Sequence, residues 1–211
     1  MIETKTTLQN HSVSRAWAGS KRLVVAAAMT AGITLTAFVP AAAAQGSNRC
    51  QHANSPITVT SKPDLQRAVV CLINRQRARH QLPPLHTDQR LNRSAQGWTN
   101  TMVSRAAFTH GRDFSARISA AGFNWSTVGE NIATGYTTPA KVVSGWMAST
   151  GHCQNILSPT FADVGTGVSA RSSDGSANSG GTWTQDFGLR MGAHAPSNNS
   201  GPAYDCPYTG A

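Results

Sequence analysis

Acidic side chains are scarce in this chain: 9 Asp and Glu stand against 18 Lys and Arg over 211 residues, and charged residues of all kinds make up 13%. The balance of +9 at neutral pH draws a protein toward acidic polymers and anionic surfaces. The basic residues are scattered, however, and no block of like charge marks a binding tail. The densest group is Arg75, Arg77 and Arg79. Arg75 and Arg79 share a helix face and Arg77 points elsewhere, so the group reads as solvated surface. No C-x-x-C pair is present, which argues against a zinc ribbon or a thioredoxin-like redox motif. No G-x-S-x-G elbow is present either, so a serine nucleophile has no support. A phosphate-cradling glycine loop and an aromatic RNA-binding motif are also missing, and nucleic acid is not an expected partner.

Long apolar runs are limited to one. Lys21 and Arg22 precede the uncharged stretch from Leu23 to Val39, and Pro40 and Ala41 to Ala44 follow. A positive flank, an apolar centre and a small-residue site describe a secretory signal peptide over 1–44, cut after Ala44. The alternative is an uncleaved anchor, because a short spanning helix needs about 17 residues. Richness in Ala, Thr and Gly and the Ala-x-Ala ending favour cleavage. The absence of a twin-arginine pair favours a general secretory route. Residues 45–211 then form a one-domain length with no second apolar run, so no stable membrane span is expected after cleavage, and a monomer is the expectation.

Four cysteines, Cys50, Cys71, Cys153 and Cys206, all lie after the leader. An even count in an exported chain predicts two disulfides, and three pairings are open. Residues 45–62 read as an irregular N-terminal arm. A helix follows from Ser61, where Ser61-x-x-Asp64 resembles a capping box. Leu65, Ala68, Val69, Leu72, Ile73 and Gln76 keep helical spacing, and Cys71 falls off that stripe. A Cys50–Cys71 bond would strap the arm across the helix flank. It is the preferred first pair, and it leaves Cys153–Cys206 as the second.

Pro83-Pro84 ends this helical region. A second helix is predicted from Thr87 or Asp88, with Leu91, Ala95, Trp98 and Met102 on its core face. A short third helix spans Phe114 to Ala121, with Gly122 as its stop. Glu130 to Gly135 reads as a short strand. Thr138-Pro139 reads as the N-cap and first position of a helix that buries Val142, Val143 and Trp146. Gly151 to Leu157 adds a helical turn or two. From Phe161 the period changes to two: Val164, Thr166 and Val168 alternate with Gly165, Gly167 and Ser169, and Trp183, Gln185 and Phe187 form a partner strand. Arg171 to Gly181 is the hairpin loop between them, and 192–211 is an extended tail. Helices first and an antiparallel hairpin last define an α+β sandwich.

The chemistry concentrates between Phe108 and Leu157. Phe108-Thr109-His110, Glu130 and His152 supply two imidazoles and a carboxylate. His152, Asn155 and Ile156 share a helical face, with His152 and Asn155 directed into a polar cleft. Two histidines and one carboxylate suit zinc and leave an open coordination position, where bound water becomes a nucleophile near neutral pH. A metal-free arrangement with Glu130 as general base is also open, as is a structural one in which buried polar groups satisfy each other. His52, His80, His86 and His194 fall in loop or terminal contexts and read as solvated.

Taken in order, several stretches resemble the CAP superfamily of cysteine-rich secretory, antigen 5 and pathogenesis-related proteins, also called the SCP domain. They are Leu72 to Arg77, Leu82 to Leu85, Leu91 to Trp98, Phe108-Thr109-His110, Gly129 to Ala133, Val143 to Trp146, Gly151 to Leu157, Val164 to Val168 and Trp183-Thr184-Gln185. The short bacterial branch is the most similar. The resemblance implies a three-layer α-β-α sandwich over 63–191 with a central cleft that can hold zinc or another divalent metal. By motif, His110, Glu130 and His152 take three of its ligand positions. A glutamate found in animal and plant members is replaced by Ser149 here, and Cys153 replaces a common bacterial arginine. The resemblance also implies an extracellular binding module, with sterols or other lipids, cell-envelope material or a protein as ligand. A metal-dependent hydrolase using His110, Glu130 and His152 is the alternative, and a structural envelope protein with an idle cleft is the third.

Overall fold

Ser61 opens the first helix, its hydroxyl accepting the Asp64 N–H at 3.3 Å, and three of the four later helices begin with a similar side-chain cap. The computed structural model describes residues 2–8, 49–174, 176, 180–198 and 201–208. Helix α1 runs Lys62–Arg79. Helix α2, Gln89–Ser104, is capped by Asp88, whose carboxylate accepts the Arg90 N–H at 2.8 Å. Helix α3, Phe114–Ala120, is capped by Asp113 through the Ala116 N–H at 2.9 Å. Helix α4, Pro139–Met147, starts at the expected Thr138-Pro139 pair, and α5 covers Thr150–Ile156. The strands are β1 Ile2–Leu8, β2 His86–Thr87, β3 Trp125–Tyr136, β4 Asp163–Ser169 and β5 Gly181–Arg190.

The five strands form one sheet in the order β1-β3-β5-β4-β2. The β4–β5 pairing expected from the alternating pattern is present and antiparallel, with Val164 opposite Phe187 and Val168 opposite Trp183. Strand β3 is longer than the sequence pattern gave. Its first half, from Trp125, pairs along β5 although its residues do not alternate in hydropathy. Strand β1 comes from the stretch read as leader, and lies antiparallel along the outer edge of β3. The apolar run and the cleavage site of that leader fall outside the described residues. Among the described residues no helix is long and apolar enough to cross a membrane.

Helices cover both faces of the sheet. Leu65, Val69 and Ile73 of α1, Val143 and Trp146 of α4 and Ile156 of α5 pack with Ala133, Val164, Val168, Trp183 and Phe187. On the other face Leu91 of α2 and Phe114 and Ile118 of α3 close over Phe123, Trp125 and Val128. The result is the α+β sandwich of three layers. The glycines of β4 set the spacing on the α2 side. A Cβ on Gly165 would lie 2.1 Å from the Leu91 carbonyl carbon, and one on Gly167 would lie 2.4 Å from the Ala95 oxygen. The α2 backbone therefore rests directly on the strand.

Both preferred disulfides are present, Cys50–Cys71 and Cys153–Cys206, each with a Cα separation of 5.6 Å. They close loops of 21 and 53 residues. On a chain-entropy account these restrict the unfolded chain by about 3 and about 4 kcal/mol. The second ties the C-terminal tail, with its short 3-10 turn Gly201–Asp205, to α5.

Two basic residues depart from their sequence reading. Arg77 is not solvated: it is 0% exposed. Its guanidinium donates to the carbonyls of Pro83, Ile156 and Ser158, each at 2.8 Å. The positive charge thus closes the C-terminal end of α5, where free carbonyls and the helix dipole favour a cation. Burial pushes its pKa down to about 10, so it stays charged at neutral pH. His80 is also enclosed. Its side chain is 10% exposed, lies 3.2 Å from Asp205 and meets the Tyr208 ring edge-on at 5.1 Å. Neither contact is local in sequence, so helical spacing gave no sign of it.

Candidate functional site

Strand alternation decides which polar residues meet. Consecutive side chains on β3 point to opposite faces. Glu130 turns toward α3 and the turn after α2, and Asn131 turns toward α5. Glu130 is fully buried. His110 Nδ1 lies 2.6 Å from Glu130 Oε1, and Arg117 Nη2 lies 2.5 Å from Oε2. A second Arg117 nitrogen, Nη1, donates to the His110 carbonyl at 2.8 Å. The guanidinium of Arg117 sits over the Trp98 ring, 3.8 Å from its centroid, a cation–π distance. Trp98 in turn donates its indole N–H to the Thr109 carbonyl at 2.9 Å. Gly111 makes the turn possible twice over. Its φ is +70°, and a Cβ there would lie 2.8 Å from the Trp98 ring.

Directly across the sheet from Glu130 stands Asp186 of β5. It is 1% exposed, and neither carboxyl oxygen makes a hydrogen bond of ordinary geometry. Burial raises its pKa well above the carboxylate range, and the neighbouring Glu130 charge raises it further; the Ser94 hydroxyl beside it acts the other way. Two carboxyl groups this close in a dry site do not both ionise. Glu130 has the Arg117 guanidinium and the His110 ring as partners and Asp186 has neither, so burial pushes Asp186 toward its neutral form.

The second polar group lies on the other face. Asn155 of α5 donates to Asn131 Oδ1 at 2.8 Å and to the Glu130 carbonyl at 3.3 Å. Asn131 reaches the His152 carbonyl and Gln185 Oε1, both at 3.3 Å. The His152 ring meets Ser149, Nδ1 to Oγ at 2.8 Å. The serine in place of the family glutamate thus has a partner of its own: the histidine expected to share a metal with it. His110 and Glu130 come together as expected. His152 is carried by the helix that packs on the opposite face.

These donors do not fit a divalent metal as they stand. Both oxygens of Glu130 are engaged, and one of them faces a guanidinium, a fixed positive charge. The neighbouring Asp186 carboxyl is pushed toward its neutral form by burial. Among the described residues no three His, Cys, Asp or Glu side chains are grouped to hold a metal ion. Arg117 and Asp186 escaped the sequence reading. The signal for Asp186 was available: Trp183, Gln185 and Phe187 alternate onto one face, which sends the intervening acid to the other. Arg117 had no such signal, because its partner lies on a strand that the helix only meets in the fold.

A larger concavity lies elsewhere, between α1 and α4. It is a groove of about 780 Å³. Leu72, Arg75, Gln76 and Arg79 line it from one stripe of α1, and Ala140, Lys141, Ser144, Gly145 and Ala148 from one face of α4. Tyr136 closes one end over Gly145, where a Cβ would fall 2.3 Å from its hydroxyl.

The chain belongs to the CAP, or cysteine-rich secretory protein, family, whose sequence profile matches residues 70–187. It is 37% identical over 139 residues to the uncharacterised protein YkwD of Bacillus subtilis, covering 62% of this chain and 51% of YkwD. It is 28% identical over 107 residues to the uncharacterised membrane protein YlbC of the same organism, covering 49% of this chain and 31% of that protein. The chain therefore spans about half and about a third of the two curated relatives it matches. Among solved structures it is similar to an extracellular SCP-domain protein of Bacillus anthracis, with a TM-score of 0.54 and 25% identity over 62% of this chain and 44% of that one. An outer surface protein of Borrelia burgdorferi shares the fold, with a TM-score of 0.53 and 20% identity over 63% of this chain and 96% of that one.

Proposed function

We propose that this protein is exported, loses residues 1–44 and with them the edge strand β1, leaving β3 as the sheet edge, and acts outside the cell as a binding module whose α1–α4 groove receives an anionic lipid of the fatty-acid type. The observation that carries the reading is the division of the groove. Leu72, Ala140, Val143 and Ala148 give it apolar walls, while Arg75, Arg79 and Lys141 set positive charge around them. An acyl chain removes apolar surface from water at about 25 cal/mol per Å², and a carboxylate at its end meets the guanidinium groups. A neutral sterol uses only half of that pattern. Two proteins of the same fold, one extracellular and one an outer surface protein, support the exterior setting. Two disulfides and the leader pattern support it as well. The Glu130 cluster serves this function as scaffold, without a metal or a catalytic step.

Exposure of immobilised residues 45–211 to a lipid extract tests the reading. Anionic single-chain lipids are expected to be retained and released by organic solvent. Retention of neutral sterol alone, or of no lipid, would remove its basis.

A further inference from the structure

The α2–α3 side of the molecule carries a second concavity that the lipid reading does not use. Two hollows, of about 400 and about 630 Å³, flank Trp98 and share Thr101, Arg105 and Arg117 in their walls. One runs on to Arg112 and the other to Arg93. The two hollows adjoin at Trp98 and Arg117, which line both, and are treated together as one trough.

Charge in this trough is one-sided. Arg117 is balanced by Glu130 beneath it. Arg93 gives a hydrogen bond to the Ala121 carbonyl at 3.1 Å, which leaves its charge uncompensated. Arg105 and Arg112 are exposed. The two linings hold one acid, Asp113, against Arg93, Arg105, Arg112 and Arg117. The acid in the lining, Asp113, is turned to the start of α3, where it accepts the Ala116 N–H at 2.9 Å and the Ser115 hydroxyl at 2.6 Å. Three guanidinium groups distributed along a trough match a row of anions better than a single one. Guanidinium is weakly hydrated and binds phosphate through paired N–H groups.

We propose that this trough binds a linear polymer bearing repeated phosphate groups, with Arg93, Arg105 and Arg112 as its contacts. The site is independent of the lipid groove, and each can fail without the other. Calorimetric titration of residues 45–211 with medium-chain inorganic polyphosphate, at several salt concentrations, tests it. Saturable binding is expected, weakening with salt by about 0.7–0.9 log units per log unit of salt for each arginine engaged. Arg93→Ala, Arg105→Ala and Arg112→Ala should each weaken binding several-fold and lower that slope by one such step, and the triple variant should abolish it. Arg75→Ala in the lipid groove serves as a charge control and should change nothing. All three residues lie on the surface, so an unchanged melting temperature verifies the fold of each variant. Orthophosphate binding as tightly as the polymer would overturn the proposal in favour of a single-anion site. Equal binding of polyglutamate would overturn its phosphate character, and undiminished binding by the triple variant would overturn the site.

Discussion

Glu130 and Asp186 face each other across β3 and β5, one held by Arg117 and His110, the other pushed by burial toward its neutral form. The pair sets a sign for stability against pH. Asp186 holds its proton in the fold at a pH where the unfolded chain has released it. Its contribution is therefore complete below the ordinary aspartate pKa of 3.8 and declines as pH rises toward the folded value. Asp186→Asn keeps the shape and removes the ionisation. The variant should melt higher than wild type at neutral and alkaline pH, with the gap closing toward pH 4, as thermal scans across pH would record. A lower melting temperature at every pH would show that the carboxyl group is needed for itself.

Arg117 holds the other half of that cluster. Its loss leaves the Glu130 charge buried without its guanidinium partner, at a cost of about 3–5 kcal/mol. Arg117→Ala should show that loss in urea titrations. Adding Glu130→Gln should return part of it, and the coupling between the two substitutions measures the pair. Independent, additive losses would mean that the contact carries no stability.

The same cation bears on metal binding. With Arg117 in place, zinc is not expected to raise the melting temperature of residues 45–211. A saturable rise that disappears in both His110→Ala and His152→Ala would reinstate the histidine–glutamate metal set.

Arg77 joins α1 to the end of α5 through the Ile156 and Ser158 carbonyls and to the turn after α1 through that of Pro83, with no carboxylate among the three. Arg77→Ala leaves those carbonyls buried and should cost about 3–5 kcal/mol. Lysine keeps the charge but cannot fork to three acceptors, so Arg77→Lys should fall between. Denaturant midpoints of the two variants order them, and equal stability of the lysine variant and wild type would contradict the forked role.

Local signals carried most of the fold. Ser61, Thr138-Pro139 and the Val–Gly alternation of β4 each act within a few residues, and helices and hairpin start where those residues require. The Cys50–Cys71 strap followed from which side of a helix a residue occupies. The misreadings share another cause. Arg77 reads as a surface charge because its acceptors come from distant turns, and Trp98 reads as core because helical spacing cannot reveal the trough it divides. The motif grouping of His110, Glu130 and His152 is met in its first two members, whose side chains lie in contact. The pleat separates Glu130 from Asn131 and places α5 on the second residue's side.

Titration of a fluorescent polyene fatty acid into purified residues 45–211 tests the lipid groove most directly, with the corresponding fatty alcohol beside it. The acid is expected to bind saturably at one site. The alcohol and an Arg75→Ala/Arg79→Ala/Lys141→Ala variant should each bind several-fold more weakly. Equal binding of acid and alcohol, or a variant that binds like wild type, would contradict a charged-headgroup site between α1 and α4.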